Sequence, residues 1–234
     1  MGEFRADRRR LIGGGVILAG AGLAAACSSG AKGQSAVSTW EGSPEQLDSW
    51  LDRPGTRHRM VFDSISGSGG AEALGYANNF LHVDSAAYGL KPEQTAAVVI
   101  FRHMSTPYGY NDAIWAKYGK KFAEQMKLEG DDLKRAATMN PALTNSPGAE
   151  PPPKGMEWAG ANSIGDLAGK GVRFAVCELA TQGIAGQLAG KTGDAAAIEA
   201  ELKANLVPGA LIVPSGITIV NRAQEHGYAI AYIG

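Results

Sequence analysis

Short apolar runs alternate with longer stretches of helical periodicity along this chain. The runs Arg59–Ile65, Thr95–Phe101, Val172–Cys177, Ala210–Val213 and Tyr228–Ile233 are rich in β-branched and aromatic residues and predict five strands. Ala96 to Phe101 is apolar at every position, which suits a parallel strand covered on both faces. Between the runs, Ala73, Leu74, Ala77, Phe80 and Leu81 recur at helical spacing and predict a helix from about Ala71 to Tyr88. Further helices are predicted over Asn111–Tyr118, with a continuation over Lys120–Leu128, over Ile164–Ala168 behind a Ser163 cap, and from Cys177 to about Leu188. Two more follow, one from the Asp194 cap to Leu206 and one over Gly216–His226. Strands alternating with helices define an α/β class. The expected architecture has three layers: a mostly parallel five-stranded sheet with helices on both faces, flavodoxin-like in outline.

Two stretches interrupt this alternation. Ser66-Gly67-Ser68-Gly69-Gly70 reads as a tight turn between strand and helix. Residues from about 129 to 158 carry Asn140-Pro141, Ser146-Pro147-Gly148 and Pro151-Pro152-Pro153, which break regular structure and read as a long insertion or lid. Residues 56–234 are expected to form one domain. Residues 28–55 precede it as a small, polar tether and a short helix whose Trp50 and Leu51 pack on the domain.

The amino terminus reads as an address rather than as fold. Arg5, Arg8, Arg9 and Arg10 precede an uncharged apolar segment from Leu11 to Ala26, too short and too glycine-rich for a lasting membrane span. Arg8-Arg9-Arg10-Leu11-Ile12 resembles a twin-arginine export signal. Leu23-Ala24-Ala25-Ala26-Cys27 resembles a bacterial lipoprotein box, with its leucine one position farther from the cysteine than usual. The expected location is periplasmic or otherwise extracytoplasmic, with the membrane reached only through a lipid on Cys27.

Charge narrows the partners. The chain has 22 basic and 23 acidic side chains. Removing residues 1–26 takes four arginines and two acids, leaving 18 against 21 and a formal charge of −3. No basic block remains in that stretch, so nucleic acid is not an expected partner. Few aromatics and many glycines fit a tightly turned α/β domain rather than a disulfide-stapled module.

Beyond Cys27 the chain has a single cysteine, Cys177, at the end of the third predicted strand and the start of a helix. It therefore has no internal disulfide partner in the domain. Its roles are packing, thiol chemistry, metal ligation or pairing with another chain. In a parallel sheet the second strand leaves through the same edge and leads into Arg102 and His103. If the two strands are neighbours, imidazole and thiol share one pocket. His103 then serves as base or electrostatic partner, and the following helix amino terminus favours a negative sulfur. Arg102 either offers positive charge to that pocket or pairs with an acid. His103, Met104 and Cys177 are also ligands of the softness that suits copper or zinc, although no CxxC or HxxxH spacing supports them. The glycine-rich turn lacks the P-loop lysine and the GxGxxG spacing, which favours a plain turn over a phosphate cradle. Tyr108, Tyr110, Trp115 and Tyr118 serve either a pocket or the core.

Three stretches together resemble the DsrE/DsrF-like family, which includes small sulfur-relay proteins. They are Met60 to Tyr88, the run Val172-Arg173-Phe174-Ala175-Val176-Cys177 with Ala180, Gly183 and Ile184, and Leu206 through Tyr228. The stretch Arg102-His103-Met104 with Thr106-Pro107, Asn111-Asp112 and Trp115 to Tyr118 looks typical of an exported branch of that family. The resemblance spans about residues 58–234, with the proline-rich insertion outside it. It implies a compact α/β subunit in trimers or hexamers and a persulfide carried on Cys177, exchanged with donor and acceptor proteins without a cofactor. His103 and Arg102 complete the expected site. Relay members work in the cytoplasm, and some carry an arginine where this chain has Gln182, so the export signal and that residue depart from the pattern. The alternative expectation is a non-catalytic periplasmic subunit that binds copper, zinc or a small ligand for assembly.

Overall fold

The most apolar strand takes the centre of the sheet. A computed structural model describes residues 47–234 apart from residue 148. The export-signal and lipid-box readings, and the tether up to residue 46, lie outside the described residues. Strand β2 (Thr95–Phe101) is buried along its whole length. It pairs with β1 (His58–Ser64) on one side and β3 (Arg173–Cys177) on the other. Strand β4 (Ala210–Val213) lies outside β3, and β5 (Ala229–Ile233) lies outside β1. All pairings are parallel, so the sheet runs β4-β3-β2-β1-β5 without an antiparallel member.

Alternation along each strand sends successive side chains to opposite faces. Ala97, Val99 and Phe101 enter one core with Phe62, Phe174 and Val176. Ala96, Val98 and Ile100 enter the other with Val61, Ala175 and Val213. The first core is covered by α1 (Gly67–Tyr88), α2 (Asp112–Met126), α4 (Ile164–Gly169), α5 (Glu178–Ala189) and α6 (Ala195–Ala204). A short α3 (Gly130–Arg135) follows α2. The second core is covered by α7 (Gly216–Glu225) through Ile219 and Ala223, together with Leu51 and Tyr228. Crossover handedness explains the division. From β1 to β4 the chain steps across the sheet in one direction, and right-handed crossovers keep the intervening helices on one face. From β4 it returns past three strands to β5, so α7 must lie on the other.

The glycine-rich stretch is the start of α1 rather than a turn before it. Ser66 is its cap, with Oγ accepting from the Gly69 amide at 2.9 Å. Glycine is a poor helix former, which is why the sequence pattern begins the helix at Ala71. Close approach overrides propensity here. A Cβ on Gly69 would lie 2.3 Å from the Gly234 carbonyl oxygen, and one on Gly70 would lie 2.6 Å from the Tyr108 ring. A phosphate cradle needs free amides, and the Gly69 and Gly70 amides are already taken by Ser66 Oγ and the Ser66 carbonyl. Gly119 does the same within α2, where a Cβ would meet the Ala136 carbonyl oxygen at 1.7 Å. The two predicted segments around it are therefore one continuous helix.

Two segments are more tightly built in than their composition implies. Leu51 is fully buried, and the Tyr228 hydroxyl donates to its carbonyl at 2.9 Å. Asp48 accepts from Arg222 of α7. Residues 48–52 thus pack on the domain, with Leu51 in the second core and Trp50 against it. In the proline-rich insertion, Asn140 is fully buried and donates through Nδ2 to the Tyr108 and Tyr110 carbonyls at 2.9 and 2.8 Å. At its far end the Trp158 carbonyl accepts from Asn78 of α1 at 2.9 Å. The insertion is thus docked at Asn140 and again at Trp158. Among the described residues no helix is long and apolar enough to cross a membrane.

Candidate active site at the carboxyl edge of the sheet

Helices change faces between β3 and β4. The helix after β3 covers one face and the helix after β4 covers the other, so their connecting segments diverge and leave a crevice at the carboxyl ends of the strands. Open α/β sheets bind ligands at such a switch point. A cavity of about 310 Å³ lies there, lined by Arg102, His103, Cys177, Leu179, Ser215 and Ile217 among others. All three residues singled out from the sequence share it.

Cys177 is the last residue of β3 and the cap position of α5, with φ −69° and ψ 117°. It is buried, at 6% exposure, yet lines the cavity. Its carbonyl accepts from Thr181 Oγ1 at 2.9 Å, and Thr181 Oγ1 accepts from the Tyr110 hydroxyl at 2.8 Å. This buried chain fixes where α5 begins and therefore where its unpaired amides point. Those amides favour negative charge on the sulfur. Glu178, in the same first turn and only 3% exposed, draws on the same positive end, but Lys203 pairs with it. Burial opposes the Lys203 charge; its bonds to Glu178 and Glu199 overcome that and raise its pKa.

Arg102 resolves the choice left open by the sequence: it pairs with an acid. Nε and Nη2 form a bidentate clasp on Asp63 at 2.7 and 2.8 Å, and Asp63 is 2% exposed. The hydrogen bond to Asp63 is the main reason the guanidinium pKa is raised, against the cost of burial, with smaller effects from Tyr232 and Cys177. The pair is formally neutral, so Arg102 brings the cavity only what its remaining N–H donors, on Nη1 and Nη2, supply. Its stem fits because residue 216 is glycine: a Cβ there would lie 2.7 Å from Arg102 Cδ.

His103 stands in the left-handed region at φ +53°, which is uncommon for a residue with a side chain. The turn is held by the Met104 amide donating to the Ile65 carbonyl at 2.9 Å, and by Ser105. Ser105 Oγ accepts from the Arg102 amide at 3.0 Å and donates to the Ser64 carbonyl at 3.0 Å. Backbone strain of this kind persists where surroundings enforce it and collects at functional positions. His103 is exposed, and its ring makes no hydrogen bond among the described residues, which leaves both nitrogens free for a ligand or a proton. It also lines a second cavity of about 150 Å³ with Met104, Gln125 and Gln187.

Sequence reasoning did not find Asp63, Thr181 or Ser215. The acid in the otherwise apolar run Met60-Val61-Phe62-Asp63 was the available signal for the first. Tyr108, Tyr110 and Trp115 are core residues, each at most 1% exposed. Tyr118 is half-buried and donates to Glu201. Among the described residues, no group of three or more His, Cys, Asp or Glu side chains is placed to hold a metal ion.

Set against known proteins, the chain matches no family model, no curated protein and no solved structure.

Proposed function

We propose that this is an extracytoplasmic DsrE-like protein that carries sulfur, or performs thiol exchange, on Cys177. The observation that carries this reading is the shared cavity: a thiol at a helix amino terminus, an imidazole with free nitrogens and an arginine, all at the switch point of a parallel sheet. In the proposed step His103 accepts the Cys177 proton, directly or through water. The thiolate attacks the terminal sulfur of a persulfide donor. The donor's S–S bond breaks, its thiolate leaves with the electron pair, and a Cys177 persulfide forms without net oxidation. The same exchange in reverse passes the sulfur to an acceptor thiol.

Exposed apolar side chains near the site, Met104, Leu179, Ile217 and Tyr232, suit a partner that docks to deliver or collect sulfur. The bidentate claim of Asp63 on Arg102 shifts the burden of thiolate stabilisation to α5 and His103. Intact-mass measurement after exposure to a small-molecule persulfide tests the reading. One added sulfur that peptide mapping places on Cys177 rather than Cys27, and that is absent from that peptide in Cys177→Ser, is the expected result. No added sulfur under conditions that load a free thiol peptide would overturn it.

A further inference from the structure

Another cavity lies at the opposite end of the sheet. It encloses about 710 Å³ between the second half of α1, the start of β2 and the end of α4. That volume is in the range of small-molecule sites, roughly 300–1,000 Å³. One wall is flat and aromatic: the His82 and Trp158 rings stack at 4.1 Å between centroids and 10° between planes. Leu81, Ala86 and Pro92 continue the apolar lining.

One cation stands at this wall. Lys170 Nζ donates to Asn78 Oδ1 at 2.7 Å and to the Ala161 carbonyl at 2.8 Å, both neutral acceptors. No carboxylate lies within ion-pair distance among the described residues. Asp166, whose charge acts on it, is engaged by Ser163 and Asn145. Glu157, beside Trp158, accepts from the Gly155 amide. An ammonium has three donors, so one remains for a ligand. Asn78 is 2% exposed and binds Lys170 through its oxygen and the Trp158 carbonyl through its nitrogen, so a single buried amide fixes cation and aromatic wall together.

We infer that this cavity is a binding site for a small carboxylate with a flat apolar body, its ring stacked beside Trp158 and its carboxylate on Lys170. A single cation with one free donor matches a monocarboxylate, whereas a phosphate group calls for several donors. The site is separate from the thiol and does not depend on its chemistry.

Naphthoate is a suitable probe, titrated into the full chain by calorimetry, with naphthamide as its neutral isostere. Saturable one-to-one binding is expected, weakened about tenfold or more with naphthamide and in Lys170→Met, and unchanged in Cys177→Ser. Trp158→Leu should weaken both probes alike, with an unaltered thermal midpoint showing that the fold is intact. Amide shifts should move at Ser85 and Ala86 and not at Ala180. Equal affinity for the two probes, wild-type affinity in Lys170→Met, or shifts confined to the carboxyl edge would each overturn the inference.

Discussion

The two ends of the sheet hold cavities of opposite character. At the carboxyl edge about 310 Å³ surrounds a thiol, an imidazole and a neutralised guanidinium. At the amino edge about 710 Å³ surrounds an aromatic wall and a cation paired only to neutral acceptors. The larger space is lined by no cysteine, whereas the smaller holds the thiol beside an imidazole. Volume follows from how helices and insertion pack. Chemistry follows from topology, because parallel strands deliver their last residues to one edge and the reversal after β4 opens a crevice among them.

Cys177→Ser breaks the comparison most sharply. It should abolish sulfur uptake at that position by peptide mapping while leaving naphthoate affinity untouched; loss of both would mean the two ends are coupled. Next in size is Asp63→Asn, which strands a largely buried Arg102 charge. It should destabilise the fold by about 3 kcal/mol in urea titration, and Asp63→Asn with Arg102→Met should recover much of that loss.

Alkaline pH should separate the ends next. Burial raises the Tyr110 pKa above its ordinary value, opposed in part by the bond to Thr181, and burial raises that of Tyr108. A raised folded-state value means stability is present below the unfolded tyrosine pKa of about 10 and falls as pH rises past it. The loss is up to about 1.4 kcal/mol per pH unit for each group. Urea midpoints between pH 9 and 11 should fall, less so in Tyr108→Phe. At the amino edge burial lowers the Lys170 pKa. Naphthoate binding should therefore weaken as pH rises through a value below the ordinary lysine range, ahead of the same loss for a fully hydrated ammonium.

The smallest effect sharpens the view of α5. Gly183 has nothing within 4 Å of its Cβ position. Gly183→Ala should stabilise the helix behind Cys177 by about 0.5–1 kcal/mol in thermal melts, without changing sulfur uptake.

Much of this was legible along the chain. The apolar runs at Thr95–Phe101 and Ala210–Val213 coincide with β2 and β4, because β-branched residues bounded by polar turns leave little else for such segments to be. Cys177, Arg102 and His103 were legible as a group once the sheet was taken as parallel, since strand direction alone sends them to one edge. Glycine misled. At Gly67 to Gly70 and at Gly119 it marks close approach within helices, and the approaching carbonyls of Gly234 and Ala136 are invisible to local pattern. The Asp63–Arg102 clasp spans 39 residues, and its partners meet because β1 and β2 are neighbours. The amino-edge site was not legible at all. His82 and Trp158 are far apart in the chain, and Trp158 sits in the segment whose prolines signal irregularity.

Composition and periodicity by themselves determined the class, the strand count and the edge at which a lone sulfur emerges, because those depend on local side-chain alternation and chain direction. Folding in three dimensions decided which charges cancel, which glycines are crossed by another segment and where space remains. Those properties depend on pairs of residues distant in sequence, and only the packed chain brings such pairs together.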